Sequence, residues 1–369
     1  MVNIAQIPYG IYVSFMSEII LDCDLMRYRD SGLYHYCLNL GNYVNEALVR
    51  DNKKPIALYV PEKESTSFNK RWKVITERPM HKVVRPFLFN CKLWHAPFQS
   101  GRVLPKTSGV KVLLTIHDLN PLHEGKTLEE QKKSLTHTQA LIDRSDALVC
   151  ISEFTRQDVL KNCKVGKKPV FVVHNGTHAV GTPGLDPVSY RPVRPFVFAM
   201  GYVNTKKNFH VLLALLEDEN VELVIAGRLD EPDYIANMRA EAEEMKVLDR
   251  LHILGPVSEN DKAWYLQNCL AFALPSLAEG FGAPVVEAMQ FGKPLFLSRL
   301  TSLPEIGGDE AFYFDTFSRD HMNQVFKKGL QTYGSTNLKD RLQERAKLFR
   351  WREKAEQYID VYQKVLRSE

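Results

Sequence analysis

The sequence predicts an α/β protein of two Rossmann-like, doubly wound domains that face each other across a cleft. Three features carry this expectation. From about residue 18 onward, short apolar runs rich in β-branched residues alternate with amphipathic stretches, the pattern of parallel βαβ units covered on both faces. The alternation breaks at VGTPGLDPVSYRPVRP (180–195), a stretch dense in proline and glycine that reads as a linker. It then restarts, and 369 residues are too many for one ordinary core but suit two of roughly 150–200 each.

The first-domain strands are expected at EIILDCD (18–24), PIALYV (55–60), KLWHA (92–96), VKVLLTIHD (110–118), ALVCIS (147–152) and PVFVVHNG (169–176). Amphipathic stretches at 33–50 and 128–145 lie between them. Past the linker come FVFAMG (196–201), NFHVLLALLED (208–218), VELVIAG (221–227), a helix over 232–245, LHILG (251–255), AWYLQNC (263–269), AFALPS (271–276), a helix opening within EGFGAPVVEAM (279–289), PLFLS (294–298) and AFYFD (311–315). WREKAEQYIDVYQKVL (351–366) has clean helical amphipathicity. The domain expectation is therefore 1–185, with 1–17 as an appended arm, then 186–345, then a C-terminal helix in 346–369 that packs back toward the first domain. Ligands of open α/β sheets collect at the carboxyl ends of strands, so the cleft between the domains is the expected site.

Composition narrows the class. Hydrophobic content of 44% and charged content of 25% are those of a globular protein, and no apolar run reaches the roughly 18 residues of a membrane span. The opening MVNIAQIPYGIYVSFMSE has no basic n-region, so no secretory leader is expected, and the six cysteines form no CxxC pair. A reducing cytoplasm without structural zinc or disulfides is the expectation. Residues 1–180 hold 25 Lys and Arg against 17 Asp and Glu, whereas the remainder holds 23 against 27. A basic first half suggests an anionic partner on one side.

The chemistry concentrates in EGFGAPVVEAM (279–289). Gly280 and Gly282 let backbone N–H groups approach a ligand, Pro284 suits a first helical position, and the helix N-terminus adds partial positive charge. That describes a phosphate cradle, although the run is neither GxGxxG nor a P-loop. Glu279 and Glu287 would repel the phosphate itself, so they are expected to face hydroxyl groups at its two ends, as in a nucleoside diphosphate sugar. Glu287 has the plainer reading too, stabilising a helix first turn. GYVNTKKN (201–208) places Lys206 and Lys207 after a strand in the same cleft, where they would neutralise a diphosphate.

With these residues assembled, the chain resembles the retaining glycosyltransferases of the GT-B fold called family 4, or group 1. LPSLAEGFGAPVVEAMQFGKPLFLSRLTSLPEIGGDEAFYFD (274–315) follows that family's signature almost position for position, with Glu279 and Glu287 as its E-x7-E pair. MGYVNTKKN, LGPVSENDKAWYLQNC, SGLYHYCLNL, LLTIHDLNPL, CISEFTRQDVL and VVHNGT match further blocks in order. The resemblance implies that Glu279 holds donor-sugar hydroxyls, that Glu287 binds ribose, and that Lys206, Lys207 and backbone N–H groups at Phe281 and Gly282 bind the diphosphate. It further implies that Val257 touches the base, that His117 points into the cleft near the sugar, and that Gly32 marks a flexible loop bordering donor and acceptor. Asn204 and Thr205 depart from the Glu-Pro common in the family, and Lys206 replaces an arginine, keeping the charge but losing the bidentate fork.

The implied reaction moves a hexose, with a lean toward mannose, from a nucleotide donor (GDP-mannose favoured, a UDP-sugar as the other option) to a saccharide or lipid-linked saccharide acceptor, with retention. No cofactor or metal is expected. Asp22-Cys23-Asp24 spells a metal-binding D-x-D but is read as strand-end acids. An epimerase or hydrolase of nucleotide sugars and a non-catalytic sugar-nucleotide binder are the rival readings. The basic first domain would rest against anionic lipid at the cytoplasmic face of a membrane, and no motif accompanies it for nucleic acid.

Overall fold

The computed structural model describes residues 18–29, 31–82, 88, 90–99, 104–105, 109–181, 186–187 and 189–368. The expected arm at 1–17 and linker residues 182–185 and 188 lie outside the described residues. Strands β1 (Ile19–Asp22), β2 (Ala57–Val60), β3 (Val74–Thr76), β4 (Leu93–Ala96), β5 (Lys111–Ile116), β6 (Ala147–Cys150) and β7 (Val170–Val172) form one sheet ordered β3-β2-β1-β4-β5-β6-β7. β8 (Phe196–Met200), β9 (Glu222–Ala226), β10 (Leu251–Ile253), β11 (Ala271–Leu274), β12 (Leu295–Ser298) and β13 (Phe312–Phe314) form a second, ordered β10-β9-β8-β11-β12-β13. Every strand pair in both sheets is parallel.

The near-continuous apolar runs follow from burial on both faces. In β6, Ala147 and Val149 enter one core while Leu148 and Cys150 enter the core on the opposite face. Helices α1 (Gly32–Arg50), α2 (Leu128–Asp143) and α3 (Glu153–Asn162) belong with the first sheet. Ser31, Thr127 and Ser152 cap their N-termini, Thr127 in a reciprocal capping box with Glu130. With the second sheet go α4 (Pro232–Glu244), α5 (Glu259–Asn268), α6 (Ala283–Gln290), α7 (Leu303–Gly307), α8 (Arg319–Ser335) and α9 (Leu338–Ala346).

Local departures from expectation have physical causes. β1 stops at Asp22 rather than 24, because the Asp22 carboxylate accepts from the Asp24 N–H and turns the chain into a single 3-10 turn. β3 was not anticipated, being three residues on the sheet edge beside a lysine. NFHVLLALLED becomes a 3-10 helix over Phe209–Glu217.

Helix α10 (Trp351–Arg367) follows the second sheet in the chain yet lies on α1 of the first. Its contact is polar as well as apolar. Tyr358 and Tyr36 share a hydroxyl–hydroxyl bond of 2.5 Å, and His95 joins Tyr362 and Thr115 at 2.8 Å each. Burial pushes His95 down to about 3, so the ring bonds as neutral imidazole. The indole of Trp351 lies against the Gly176 backbone, where an added Cβ would stand 2.2 Å from the ring and 2.7 Å from the Trp351 Cα.

Gly176→Ala should therefore lower unfolding stability by about 1–3 kcal/mol or more, since backbone as well as ring must move. Urea denaturation measures this, and an unchanged midpoint would contradict the docking of α10 over this glycine.

Candidate active site

The order of each sheet reverses beside its first strand, so the crevices open between β1 and β4 and between β8 and β11. Two loops meet at the second crevice. After β8, Asn204 accepts from the Lys207 N–H and closes a 3-10 turn over Thr205–Lys207. Asn208 then adopts φ +57°, a left-handed conformation that asparagine tolerates, and donates to the Pro275 carbonyl after β11 at 3.3 Å. The Leu277 N–H donates back to the Lys206 carbonyl at 2.8 Å. Asn204 and Thr205 bond Asp230 and Glu231. Their departure from the family's Glu-Pro is thus matched by local partners.

This stitching brings Lys207 and Glu279 into a short ion pair, each about nine-tenths buried. Ser276 Oγ donates to the same Glu279 oxygen at 2.8 Å, Thr301 Oγ1 accepts from the Glu279 N–H, and Ser302 Oγ donates to its carbonyl. Burial alone would raise the Glu279 carboxyl, but the Lys207 charge and hydrogen bond, Ser276 and Lys206 outweigh it and hold it below the ordinary range.

The first domain meets this pair in a tight approach at Gly280. A Cβ on Gly280 would lie 2.5 Å from the His117 carbonyl oxygen and 3.1 Å from the Asp118 Cβ, so only glycine fits. The His117 ring is buried between Tyr36 and Phe98, at centroid distances of 4.8 and 5.2 Å. Its Nε2 donates to the Pro97 carbonyl at 2.8 Å, which leaves Nδ1 as an acceptor. Burial lowers the ring to about 4, against the smaller opposing effect of the Pro97 bond. Lys206 Nζ reaches Glu124 of the first domain at 4.0 Å.

The remaining sequence candidates are placed as follows. Gly282 caps α6 with φ +90°, and the N–H groups of Phe281, Gly282 and Ala283 have no acceptor among the described residues. The Phe281 side chain turns away into the core against Phe349, so only its backbone faces the loop. Glu287 takes one hydrogen bond, from Lys262 Nζ at 3.1 Å on Oε1, while Oε2 is buried without a partner. Burial raises its carboxyl despite Lys262. Val257 packs on the core just before the α5 cap. Gly32 is a correction. It is the first residue of α1, fixed by the Ser31 cap, and not part of a flexible loop. Asp22 is buried and pushed up to about 8, by burial first and by Asp24 second, and Asp24 is paired with Arg27.

Sequence reasoning missed Glu305, although it sits in the quoted LPE run. From α7 its carboxylate accepts the N–H groups of Glu153 (2.8 Å) and Phe154 (3.0 Å) at the start of α3, and His174 Nε2 at 2.6 Å. It thereby bridges the two sheets. Burial would raise it, but His174 and the two N–H groups bring it below the usual carboxylate range.

Two family models match, "Glycosyl transferases group 1" over residues 190–349 and "Glycosyltransferase Family 4" over 46–179, each centred on one of the two sheets. The chain belongs to this family of GT-B glycosyltransferases. Among curated relatives, the serotype-specific mannosyltransferase WbdA of Escherichia coli is 25% identical over 281 residues, covering 70% of this chain and 34% of that protein. An MMP alpha-(1->4)-mannosyltransferase of Mycolicibacterium hassiacum is 27% identical over 229 residues, covering 59% and 54%. This chain thus spans about a third of WbdA. Among solved structures, the sucrose-phosphate synthase of Thermosynechococcus elongatus superposes with a TM-score of 0.72 at 17% identity, covering 94% of this chain and 98% of that one. Anabaena HepE in complex with UDP gives 0.71 at 16%, covering 95% and 100%. These likenesses fix the GT-B fold.

Two site groups tie stability to pH with one sign. Between about 4 and 6.5 the unfolded chain takes up a proton that folded His117 refuses, so stability rises with pH across that window and is lost on acidification. Glu279 adds a further loss as the pH falls below its ordinary 4.5. Through His117 the unfolding free energy should fall by up to ~3 kcal/mol between pH 7 and 4, beside a like-signed loss from His95 and opposing contributions from Asp22 and Glu287, and His117→Asn should reduce the urea-measured loss by its own share only. An unchanged slope in the variant would assign the titration to other groups.

Proposed function

We propose that the protein transfers a hexose from a nucleoside diphosphate sugar to an acceptor hydroxyl with retention at the anomeric carbon. The observation that carries this reading is the buried Lys207–Glu279 pair set beside the uncommitted N–H groups of Phe281, Gly282 and Ala283. Cations and a helix N-terminus suit a diphosphate, while an oriented, ionised carboxylate suits sugar hydroxyls. Lys206, Lys207 and the α6 N-terminus take the diphosphate, and Glu279 holds the sugar.

In the reaction the bond from the anomeric carbon to the β-phosphate oxygen breaks and negative charge grows on the phosphate. In this reading the two lysines and the α6 N–H groups face that charge, which is where preorganised electrostatics act most strongly. The acceptor oxygen adds from the same face, and its proton passes to the departing phosphate. His117 stays neutral and offers Nδ1 to a sugar hydroxyl. Glu287 Oε2, still lacking a partner, accepts from a ribose hydroxyl, and Val257 borders the base. No metal is assigned, because the lysines supply the positive charge that a metal would otherwise bring.

Mannose is favoured by the named mannosyltransferase relatives and GDP-mannose by the sequence resemblance, while HepE, which binds UDP, supports a nucleotide donor and keeps a UDP-sugar in play. We place the enzyme in polysaccharide, O-antigen or glycolipid assembly in the cytoplasm. Among the described residues no helix is long and apolar enough to cross a membrane. The basic first domain would supply peripheral contact, and flotation without binding to anionic liposomes at low salt would remove that element.

Donor choice is tested by thermal shift against GDP-, UDP-, ADP- and dTDP-sugars, followed by product stereochemistry with the stabilising donor. Glu279→Gln should lower kcat by about 10²–10³-fold with circular dichroism unchanged. Glu287→Gln should instead raise the donor KM by about tenfold, through loss of one charge-assisted contact. Full turnover in Glu279→Gln would refute the catalytic reading, nucleotide release at equal rate without acceptor would favour a hydrolase, and loss of activity in EDTA would overturn metal independence.

A further inference from the structure

One short run, Thr301 to Glu305, meets the cradle of the second domain at one end and the first domain at the other. Thr301 Oγ1 accepts the Glu279 N–H at 2.9 Å, and Ser302 Oγ donates to the Glu279 carbonyl at 2.9 Å. A Cβ on Gly282 would stand 2.9 Å from Leu303 Cδ2, so that leucine backs the residue capping α6. Two residues on, the partners of the Glu305 carboxylate among the described residues all lie in the first domain: the N–H groups of Glu153 and Phe154, and the His174 ring. His174 also rests on Phe281, with ring centroids 6.2 Å apart, and the Phe281 N–H belongs to the cradle.

The start of α3 needs this contact. Its cap, Ser152, serves the Thr155 N–H, and Glu305 supplies the acceptor for the two N–H groups before it. An ionised carboxylate on the free N–H groups of a helix N-terminus is a favourable pairing, and here it comes from the opposite domain. α7 is short but stiff, because Arg345 of α9 donates to the Glu305 and Ile306 carbonyls at 2.7 Å each. The other end of the run is strained. Thr301 has φ +50°, a left-handed conformation that is unfavourable for a β-branched residue and persists only under constraint. That strained residue lies between two anchors, the Glu279 N–H and the docked Glu305.

We infer that Glu305 is a positioning residue that makes the geometry of the Glu279 cradle conditional on docking of the two domains. Two routes carry the coupling, the run from Thr301 through α7 and the His174 ring on Phe281. When the first domain is undocked, Thr301 relaxes and the Glu279 N–H loses its acceptor. The acid that holds the donor sugar is then in register only while the first domain is in place, which keeps water from taking the sugar. The consequence for turnover rests on the glycosyl-transfer reading, whereas the coupling itself is measured without substrate.

Hydrogen exchange of the full chain, resolved to single amides, provides the test. Thr301→Val keeps the shape and removes the hydroxyl, so it sets the rate of the Glu279 amide without its acceptor. Glu305→Ala should speed that amide about tenfold toward the same rate, the scale of one hydrogen bond, although every hydrogen bond it deletes lies in the first domain. Glu305→Gln, which keeps the size and one acceptor oxygen, should give a smaller change of the same sign and serves where the alanine variant does not fold. Amides of β9 should keep their wild-type rates, as the control for global unfolding. Faster exchange at Glu153 and Phe154 alone would overturn the inference, because Glu305 would then only dock α3. So would an equal rise in β9, or no acceleration in Thr301→Val. Once a donor is found, Glu305→Gln should lower kcat/KM about tenfold. Absence of transfer from every nucleotide sugar would sink the transferase reading while the exchange rates still decide the coupling.

Discussion

The arrangement depends on one close approach, that of Gly280 to the carbonyl of His117. Any side chain at 280 would place its first carbon 2.5 Å from that oxygen, and the two sheets could not meet where they do. With glycine there, the residue before it puts Glu279 on Lys207, and the residues after it turn into the N-terminus of α6. His117, Asp118 and the Lys206–Glu124 contact then lie on the facing side. A backbone contact thus sets the separation across which donor and acceptor chemistry would operate. Glu305 reinforces it at a second point, capping α3 from the opposite sheet, and α10 returns to the first sheet as a third tie.

Holding two charged groups in so buried a place is costly, and the surroundings explain how it is sustained. Desolvation of a carboxylate and an ammonium is repaid only when geometry is good and the remaining lone pairs are met. Glu279 has Lys207 and Ser276 on its carboxylate and Thr301 and Ser302 on its backbone, and Ser298 in turn donates to the Ser276 carbonyl at 2.6 Å. That serine and threonine shell fixes the rotamer. It also means the pair is rigid before any ligand enters, which lowers the ordering cost of binding.

Much of the fold was legible because both sheets are parallel and buried on two faces, so β5, β6, β9 and β11 read as unbroken apolar runs. The short edge strand β3 and the helices α7 to α9 were less legible, since three-residue strands and polar helices carry little periodic signal. Of the site, the glycines, the acid pair and the lysines could be seen because their chemistry is unusual at that spacing. What could not be seen was direction. Nothing in TIHD tells that the His117 Nε2 is spent on Pro97, and nothing in SGLYHY tells that Gly32 already lies inside a helix. Glu305 was invisible for the same reason, as its partners Glu153, Phe154 and His174 are more than a hundred residues away.

The two acids of EGFGAPVVEAM, alike in sequence, are made into different groups by their settings. Glu279 is matched by a lysine in direct contact and kept ionised, so it presents fixed charge at a defined place. Glu287 is underpaired. Lys262 meets one oxygen, the other is orphaned, and burial drives the carboxyl upward. A buried acceptor without a donor costs stability until something supplies the missing hydrogen bond. The first acid is therefore complete without ligand, and its chemistry is positional. The second is incomplete, and under the proposed function a ribose hydroxyl that completed it would gain affinity from relieving that deficit. Eight residues of sequence separate them, and the difference lies entirely in what the fold brings to each.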